Sequence, residues 1–514
     1  MRENRARASL RVKELRRAFM YDLLVIGGGI NGAGVARDAA GRGLKVLLVE
    51  KDDLASHTSS ASTKLIHGGL RYLEHYDFAL VRKALGEREV LLKAAPHIIW
   101  PLRFVLPVVE GMRPAWLLRL GLFLYDNLGK RELLPGTDTL KLRHVREGAP
   151  LHRDLVTGFA YSDCWVDDAR LVALNAVDAK DKGADVRERT ACDHIVRHAD
   201  HWDATLSDGS MVKARMIINA AGPFVDRIIS QYRDHDKSAH VRLVKGSHIV
   251  VPRLHDGDWA YMFQQDDGRI IFAIPYEDDF TLIGTTEVNV DSPDAGNVIS
   301  AEEVHYLVDA ANRYFLHDIS ADDVVWSYAG VRPLYEDHAK DASAVTRDFV
   351  LALDDEGGAP ILSIFGGKIT TYRELAETVM ERVQATLGTK GAEWTAEAHL
   401  PGGNFPVEER AAMLASLIDH YPNLSPETLV RLFRCYGTRT TRILGKDGSL
   451  GKQFGGTLSE AEVRYLVAHE FARAPNDILW RRTKCGLHMT EAERTAFSAW
   501  FAQSGLVSSE PISA

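Results

Sequence analysis

The sequence predicts an α/β fold, in which a parallel sheet with crossover helices is joined by an antiparallel sheet and followed by an all-α region. Three observations predict it. A strand, a glycine-rich turn, a helix and a second strand follow one another in residues 21–50. Short β-like runs dominate residues 241–286, and the pattern after residue 387 is helical. We therefore expect a basic extension over 1–20, a two-sheet domain over 21–387 and a helical domain over 388–514.

Composition excludes several functional classes. Lys and Arg number 62 against 71 Asp and Glu, a net charge of −9, whereas a general nucleic-acid-binding protein is basic. No stretch of 18 uncharged apolar residues occurs, so no membrane-spanning helix is expected. The cysteines form no C-x-x-C pair, which excludes a dithiol centre and predicts a reducing compartment. They are Cys164, Cys192, Cys435 and Cys485.

The first twenty residues are strongly basic. They hold seven Arg or Lys and two Glu, and they lack the apolar core of a secretory signal. We expect a disordered extension, or an over-long start with Met20 as the true initiator. A weak contact with a lipid surface is the alternative.

The glycine turn matches the G-x-G-x-x-G pattern of dinucleotide-binding sites. Gly27 permits the tight turn, Gly29 lets the backbone approach a pyrophosphate, and Gly32 lets the helix pack close to its strand. Glu50 ends the second strand, where it can accept hydrogen bonds from an adenosine ribose. This context predicts a Rossmann-like site and leaves FAD and NAD open as its ligand.

Later segments resemble a known family. In the same order along the chain, seven segments are similar to FAD-dependent (aerobic, respiratory) glycerol-3-phosphate dehydrogenases. They are residues 59–73, 165–171, 219–223, 245–248, 283–286, 330–334 and 365–373. Residues 435–438 and 481–484 also look like the helical domain of that family. The resemblance implies a D-amino-acid-oxidase or glutathione-reductase-2-like fold with a bound FAD.

The same resemblance implies the flavin contacts. Gly366 and Gly367, at a helix start, are expected to offer N–H groups to the flavin N1/C2=O edge, where reduction places negative charge. No residue is marked by the sequence as a covalent attachment point, so we expect FAD to be held non-covalently. The remaining implied contacts are Ser60, Ser62, Thr63, His67, Gly68 and Gly222.

The implied substrate is sn-glycerol 3-phosphate, oxidised to dihydroxyacetone phosphate. Arg71, Arg332 and Lys368 lie in glycine- or proline-bounded turns and are candidates to bind the phosphate, although each alone could be a surface cation. Tyr72 and Thr370 could donate further bonds.

The candidate base is a histidine. An imidazole can take the hydroxyl proton as hydride leaves, and the family resemblance favours His248 over a merely structural role. We assign Arg332 with it to the catalytic set. His67 is a second candidate, which we expect to pack near the flavin. Asp167 and Asp168 are interpreted as a helix N-cap rather than a carboxylate dyad, and no metal site is expected.

The family's electron acceptor is a membrane quinone. An oxidase that uses oxygen is the alternative, and a non-catalytic flavin-binding module is a remoter one. Pro114 could open a helix through residues 116–124 that is either buried in the core or placed on lipid. Seven C-terminal cations could attract anionic lipid or make contacts between domains, namely Arg431, Arg434, Arg439, Arg442, Arg481, Arg482 and Lys484. We expect a cytoplasmic protein or one on the cytoplasmic face of the inner membrane, and a homodimer is compatible with the sequence.

Overall fold

A computed structural model describes residues 20–109, 113–129, 131–233, 241–335 and 348–507. The basic extension over 1–19 and the last seven residues lie outside the described residues. Within them, two sheets and a helix-rich C-terminal region make up the fold.

The first sheet, here called the nucleotide sheet, has eight described strands in the order β17-β18-β10-β1-β2-β7, with β9 paired to β10 and β8 to β9. Its central strands are parallel. Leu23, Leu24 and Val25 of β1 are fully buried, because helices cover one face of these central strands and the β8–β9 hairpin packs on the other. The strands are β1 Tyr21–Ile26, β2 Val46–Val49, β7 Asp185–Arg187, β8 Cys192–Arg197, β9 Trp202–Leu206, β10 Met211–Asn219, β17 Val350–Asp354 and β18 Ile361–Phe365.

The second sheet, here called the inserted sheet, has ten described strands in the order β15-β11-β14-β13-β12-β4-β6-β3. Strand β16 pairs with β11 and β5 with β6, and the pairs are antiparallel except β12 with β4. The strands are β3 Leu65–Ile66, β4 Ile99–Pro107, β5 Asp138–Lys141, β6 Thr157–Val166, β11 Val241–Pro252, β12 Ala260–Gln264, β13 Ile270–Tyr276, β14 Phe280–Gly284, β15 Val288–Asn289 and β16 Trp326–Tyr335.

The α-helices cover the nucleotide sheet and form most of the C-terminal region. Helix α1 packs against α4 and α7. The glycine turn that precedes it directly follows the carboxyl end of β1. The helices are α1 Ile30–Gly41, α2 Phe78–Ala94, α3 Ala115–Leu128, α4 Asp168–Asp181, α5 Val225–Ile229, α6 Ala301–Asn312, α7 Tyr372–Leu387, α8 Arg410–His420, α9 Pro426–Tyr436, α10 Thr440–Leu444, α11 Glu460–His469 and α12 Glu491–Gln503. Among these described helices, none combines the length and hydropathy needed to cross a bilayer.

The structure confirms the predicted α/β architecture and extends the inserted sheet beyond its predicted range. Strands β3 to β6 lie before residue 241, outside the range in which the sequence predicts β-like runs. The C-terminal region is not purely helical, because a short hairpin joins Gln453–Gly455 to Leu458–Ser459. The side chains of β3 to β6 mix apolar and polar types irregularly, so the strand character of these residues depends on pairing partners far away in sequence.

Candidate active site

A cavity of about 700 Å³ is lined by residues of both sheets. Gly27 and Glu50 lie in one part of its wall, and Lys368, Arg332 and His248 lie in another. All but three of the predicted site residues line it. Those in the wall are Gly27, Gly29, Glu50, Ser62, Thr63, His67, Arg71, Tyr72, Gly222, His248, Arg332, Gly366, Gly367, Lys368 and Thr370. The structure therefore brings together residues that are more than 300 positions apart in sequence.

Three predicted contacts do not line the cavity. A Cβ at Gly32 would lie 1.9 Å from the carbonyl oxygen of Gly27, so this glycine allows the helix to pack closely, as predicted. Ser60 instead donates to the carbonyl of His57 at 3.4 Å. The N–H of Gly68 donates to the Tyr125 hydroxyl at 2.8 Å. Ser60 and Gly68 therefore use these groups within the protein, and their contact with the cofactor stays a prediction.

Glu50 marks the nucleotide end of the cavity. Its carboxylate accepts from the N–H of Gly28 at 2.6 Å and from the N–H of Asp52 at 2.9 Å. Burial raises the pKa of Glu50, although these two bonds oppose the shift. Helix α1 begins at Ile30 after the N-cap residue Gly29, and the Ser59 hydroxyl accepts from the N–H of Ile30 at 3.0 Å. A helix start of this kind beside a buried acid fits a dinucleotide.

His248 lies on β11 in the wall at the other end of the cavity. It is 2% exposed, and its Nε2 lies 3.0 Å from the Thr63 hydroxyl. Its ring stacks on Tyr328 at 4.8 Å between centroids. A Cβ at Gly284, the cross-strand neighbour, would lie 2.1 Å from the imidazole, so only glycine fits there. Burial, and then the charges of Lys64 and Arg332, hold the pKa of His248 well below its usual value. The imidazole is therefore neutral and able to accept a proton.

Arg332 is held in place by polar groups at the end of β14. One guanidinium nitrogen lies 3.2 Å from the Thr285 hydroxyl and 3.0 Å from the Thr286 carbonyl. The other lies 3.2 Å from the carboxylate of Glu287, which also lines the cavity. Sequence reasoning missed Glu287, although it directly follows the matched segment 283–286. These contacts orient the planar guanidinium before any ligand arrives.

Lys368 and Tyr72 approach each other in the cavity wall. The ammonium lies 3.5 Å from the centre of the Tyr72 ring, a cation–π distance. Tyr72 and Arg71 belong to the turn Leu70–His75, which overlaps the end of the matched segment 59–73. This segment is here called the flavin-like segment, because the resemblance implies flavin contacts within it. The predicted cations Arg71, Arg332 and Lys368 thus share one cavity, as expected for residues that bind the same anion.

Thr370 and His67 contact each other. The Thr370 hydroxyl lies 3.2 Å from the His67 N–H and 3.4 Å from the His67 carbonyl, so it holds the histidine backbone. Burial lowers the pKa of His67 to about 4, an effect that Lys368 and Arg88 reinforce and Asp163 opposes. His67 is therefore a neutral wall residue, and it remains the second candidate for the base.

Asp167 and Asp168 begin helix α4. Asp167 accepts from the N–H of Arg170 at 3.1 Å, which is the N-cap role that the sequence predicts. Asp168 reaches the flavin-like segment, where it accepts from Lys64 Nζ at 2.8 Å and from the Ser62 hydroxyl at 2.7 Å. This second function of the acidic pair was not visible in the sequence pattern.

The C-terminal cations make contacts within the protein. Arg431, Arg434 and Arg439 pair with Glu462, Asp278 and Asp181 at 2.6, 3.0 and 2.7 Å. Arg481 and Arg482 pair with Asp53, and Lys484 pairs with Asp167; Arg442 is exposed. These ion pairs favour the alternative of contacts within the protein, and attraction of anionic lipid by the C-terminal cations stays a prediction.

Two groups of potential metal ligands occur among the described residues. Glu50, Asp52 and His57 lie at the nucleotide end of the cavity, where His57 already pairs with Asp52 at 2.7 Å. His198, His201 and Asp203 meet on the β8–β9 hairpin. The ammonium of Lys213 contacts both Asp203 and His201 there, so a cation of the chain itself already lies among these ligands. That the protein has no metal site stays a prediction.

Comparison with known proteins identifies the family. The model of the FAD dependent oxidoreductases matches residues 22–373, and that of the C-terminal domain of alpha-glycerophosphate oxidase matches residues 393–501. A protein of Escherichia coli K12 named aerobic glycerol-3-phosphate dehydrogenase is 47% identical over 492 residues, 94% of this chain and 97% of the relative. The chain belongs to the FAD-dependent glycerol-3-phosphate dehydrogenase family. Its cofactor is FAD.

Two further relatives of this glycerol-3-phosphate dehydrogenase family member bear on its substrate and fold. The D-erythritol 1-phosphate dehydrogenase of Brucella abortus is 53% identical over 495 residues, 95% of this chain and 98% of the relative. The glycerol-3-phosphate dehydrogenase of Bacillus halodurans, solved in complex with FAD, is 26% identical with a TM-score of 0.70, and the match covers 96% of each chain.

The FAD of this family member is expected to be released by acid. Cys192, the one described cysteine in the cavity wall, has its pKa raised to about 12 by burial, so the thiolate needed for attachment is scarce. Acid precipitation should leave a colourless pellet and a yellow supernatant that contains FAD. A yellow pellet, or FMN in the supernatant, would contradict the non-covalent site.

Proposed function

We propose that this enzyme oxidises sn-glycerol 3-phosphate to dihydroxyacetone phosphate, with FAD as the first electron acceptor and a membrane quinone as the second. The observation that carries the proposal is the convergence of the three predicted cations, Arg71, Arg332 and Lys368, and the neutral imidazole of His248 in one cavity. A dianionic phosphate needs the cations, and a secondary alcohol needs the base. A non-catalytic flavin-binding module would need neither.

The reaction removes a hydride from C2 and a proton from the C2 hydroxyl. FAD, when bound, supplies the hydride acceptor. Arg332 and Lys368 bind the phosphate, and because Thr285 and Thr286 already orient the guanidinium, little side-chain freedom is lost on binding. The neutral His248 takes the hydroxyl proton as the C2–H bond breaks.

A longer polyol phosphate is the second candidate substrate. The relative of 53% identity is named D-erythritol 1-phosphate dehydrogenase. In the cavity wall, the carboxylate of Glu287 beside Arg332 can accept a hydrogen bond from an additional hydroxyl group. Both candidates share the phosphate and the secondary alcohol, so the proposed chemistry is the same for each.

Anaerobic titration distinguishes the substrates. Glycerol 3-phosphate should bleach the flavin absorbance, while glycerol should bleach it very poorly because the phosphate supplies the binding energy that orients C2. D-erythritol 1-phosphate is titrated in parallel. The substrate with the higher second-order rate constant of flavin reduction is the better one. If neither phosphate bleaches the flavin, the proposed function is wrong. Reoxidation by a quinone analogue or by oxygen then separates the dehydrogenase from the oxidase.

Helix α3 supports attachment to the membrane that holds the quinone. Trp116, Leu117, Leu120 and Phe123 are between 42% and 69% exposed, whereas Leu122 and Tyr125 face the protein. The helix contacts the turn Leu70–His75, which carries the substrate residues. Of the two sequence interpretations, a core helix does not fit this exposure. An amphipathic helix with aromatic residues on its outer face suits the boundary of a bilayer.

Vesicle flotation tests this attachment. We expect the enzyme to float with liposomes at both low and high salt, because apolar insertion resists salt and most C-terminal cations are paired. The double variant Trp116→Glu/Phe123→Glu should lower the bound fraction about tenfold or more and keep activity with a soluble dye. Met211→Glu, at an apolar residue 71% exposed on β10, is the matched control and should float like the wild type. A wild type that stays in the soluble fraction overturns the lipid assignment. So does a wild type that is a homodimer and becomes a monomer in the double variant, because the exposed face of α3 would then be a dimer interface.

A further inference from the structure

The segment 477–484 of the C-terminal region lies against the FAD-binding part of the chain. It comprises a π-helix, Asp477–Arg482, followed by Thr483 and Lys484. Local π-helical geometry is frequent at functional sites. Arg482 is fully buried and Lys484 is 2% exposed, yet the carboxylates that neutralise them belong to residues more than 300 positions earlier. The segment therefore directs its charges into the other part of the protein.

One contact supports the nucleotide end of the cavity. The guanidinium of Arg482 donates to both carboxylate oxygens of Asp53, at 2.7 and 3.0 Å. Asp53 follows Glu50 by three residues, and the N–H of the nearby Ala55 donates to the carbonyl of Gly28 at 3.2 Å. Burial opposes the charge on Asp53, but Arg482 and then Arg481 outweigh it and lower the pKa of this carboxyl. The turn that carries Glu50 is thus fastened to the C-terminal region.

A second contact supports the flavin-like segment. Lys484 Nζ donates to Asp167, whose neighbour Asp168 accepts from Lys64 at 2.8 Å. Lys64 Nζ also donates to the carbonyl of Ser60 at 3.1 Å. Thr63, between these residues, contacts the imidazole of His248. Two consecutive aspartates therefore connect the C-terminal lysine with the segment that positions the base.

A third contact reaches the same histidine through aromatic rings. Trp480 stacks on Trp326 with 5.1 Å between ring centroids and an interplanar angle of 21°. Trp326 contacts Tyr328 at 5.2 Å, and Tyr328 stacks on His248. Charged and aromatic contacts from one short segment thus converge on the two ends of the cavity.

We propose that segment 477–484 is a positioning element for FAD and for His248. Its cations hold the turn after Glu50 and the segment 60–64 in place. The distance and the orientation between these two parts of the cavity wall are therefore fixed. Removing one partner of a buried ion pair leaves an unpaired charge, which forces the wall to move or to admit water. The proposal concerns the cofactor and the base, and it holds for either polyol phosphate.

The test compares Lys484→Met with Arg439→Gln. Arg439 pairs with Asp181 across the same interface and does not line the cavity, so its variant is the matched control. The dissociation constant of FAD, measured by reconstitution of the apoenzyme, should rise about tenfold or more for Lys484→Met. With FAD saturating, its flavin reduction at saturating glycerol 3-phosphate should slow by a similar factor. Both quantities should stay within twofold of wild type for Arg439→Gln.

A further variant separates positioning from general stability. Lys484→Met/Asp167→Asn removes both charges and keeps an acceptor at the N-cap of α4. It should recover much of the melting temperature that the single variant loses, while the weak binding of FAD and the slow reduction remain. If FAD affinity and the rate of flavin reduction recover together with the melting temperature, the pair is purely structural and the proposal is overturned. The proposal is also overturned if FAD affinity and the reduction rate of the Lys484→Met enzyme stay within twofold of wild type. A wild type that binds FAD but is not reduced by either phosphate refutes the proposed function alone.

Discussion

The His248→Ala enzyme is expected to reduce its flavin about 10²–10⁴-fold more slowly than the wild type, the usual contribution of a general base. Burial keeps the His248 imidazole neutral in the free enzyme, so a ring nitrogen has a lone pair for the hydroxyl proton, and its position on the cavity wall makes it the candidate base. Binding of glycerol 3-phosphate should change far less, since the phosphate is held by Arg332 and Lys368. Stopped-flow spectroscopy at increasing substrate concentration separates the limiting rate constant from the dissociation constant.

The control for this variant is His198→Ala on the β8–β9 hairpin, where the histidine side chain is 41% exposed. It should leave flavin reduction within twofold of wild type. A loss of less than fivefold in His248→Ala would instead assign this histidine to orienting the substrate or packing against Tyr328, and His67 would become the next candidate.

The Arg332→Ala enzyme should lose about 10²–10⁴-fold in kcat/KM for glycerol 3-phosphate. A charge-assisted hydrogen bond contributes about 1.5–3 kcal/mol, and a guanidinium makes two to a phosphate. The substitution also leaves the carboxylate of Glu287 without the cation beside it, and this negative charge repels the substrate. Lys368→Ala should have the same direction and a smaller effect, because a lysine acts as a point charge.

Steady-state kinetics measures both variants, with FAD content determined from absorbance. Arg313→Ala is the control, since its side chain pairs with Asp266 at the surface, 2.6 Å away. It should retain the wild-type kcat/KM. If the Arg332→Ala enzyme also keeps the wild-type kcat/KM, the phosphate must bind elsewhere in the cavity. A variant that has merely lost FAD is recognised by the loss of its yellow colour.

The local parts of the site could be predicted from the sequence. The turn from Gly27 to Gly32 and the acid Glu50 follow from the spacing of a strand–turn–helix unit, because each acts within its own neighbourhood. Resemblance to a family placed His248 and Arg332, and the structure brings both into one cavity. Family membership and FAD are confirmed, whereas the roles of His248 and Arg332 stay predictions.

The long-range parts could not be predicted from the sequence. Nothing near Lys484 indicates that its partner is Asp167, because an ion pair between distant segments leaves no periodic pattern. Strands β3 to β6 were missed for the same reason, since pairing across the sheet determines their conformation. The hydrogen bonds of Ser60 to His57 and of Gly68 to Tyr125 were likewise not visible in the sequence, because their partners are set by the folded backbone.

The order of strands in the nucleotide sheet has a consequence for synthesis on the ribosome. Strand β1 lies between β2 and β10, and β10 pairs with β18, so the sheet is complete only when Phe365 has left the exit tunnel. At roughly 5–20 residues per second, the first glycine turn waits roughly 15–60 s for that strand. During this interval the apolar strands at the N-terminus lack their later neighbours and are suitable clients for a chaperone that binds nascent chains. We therefore expect FAD to bind only after the residues up to Phe365 have been synthesised and have left the exit tunnel.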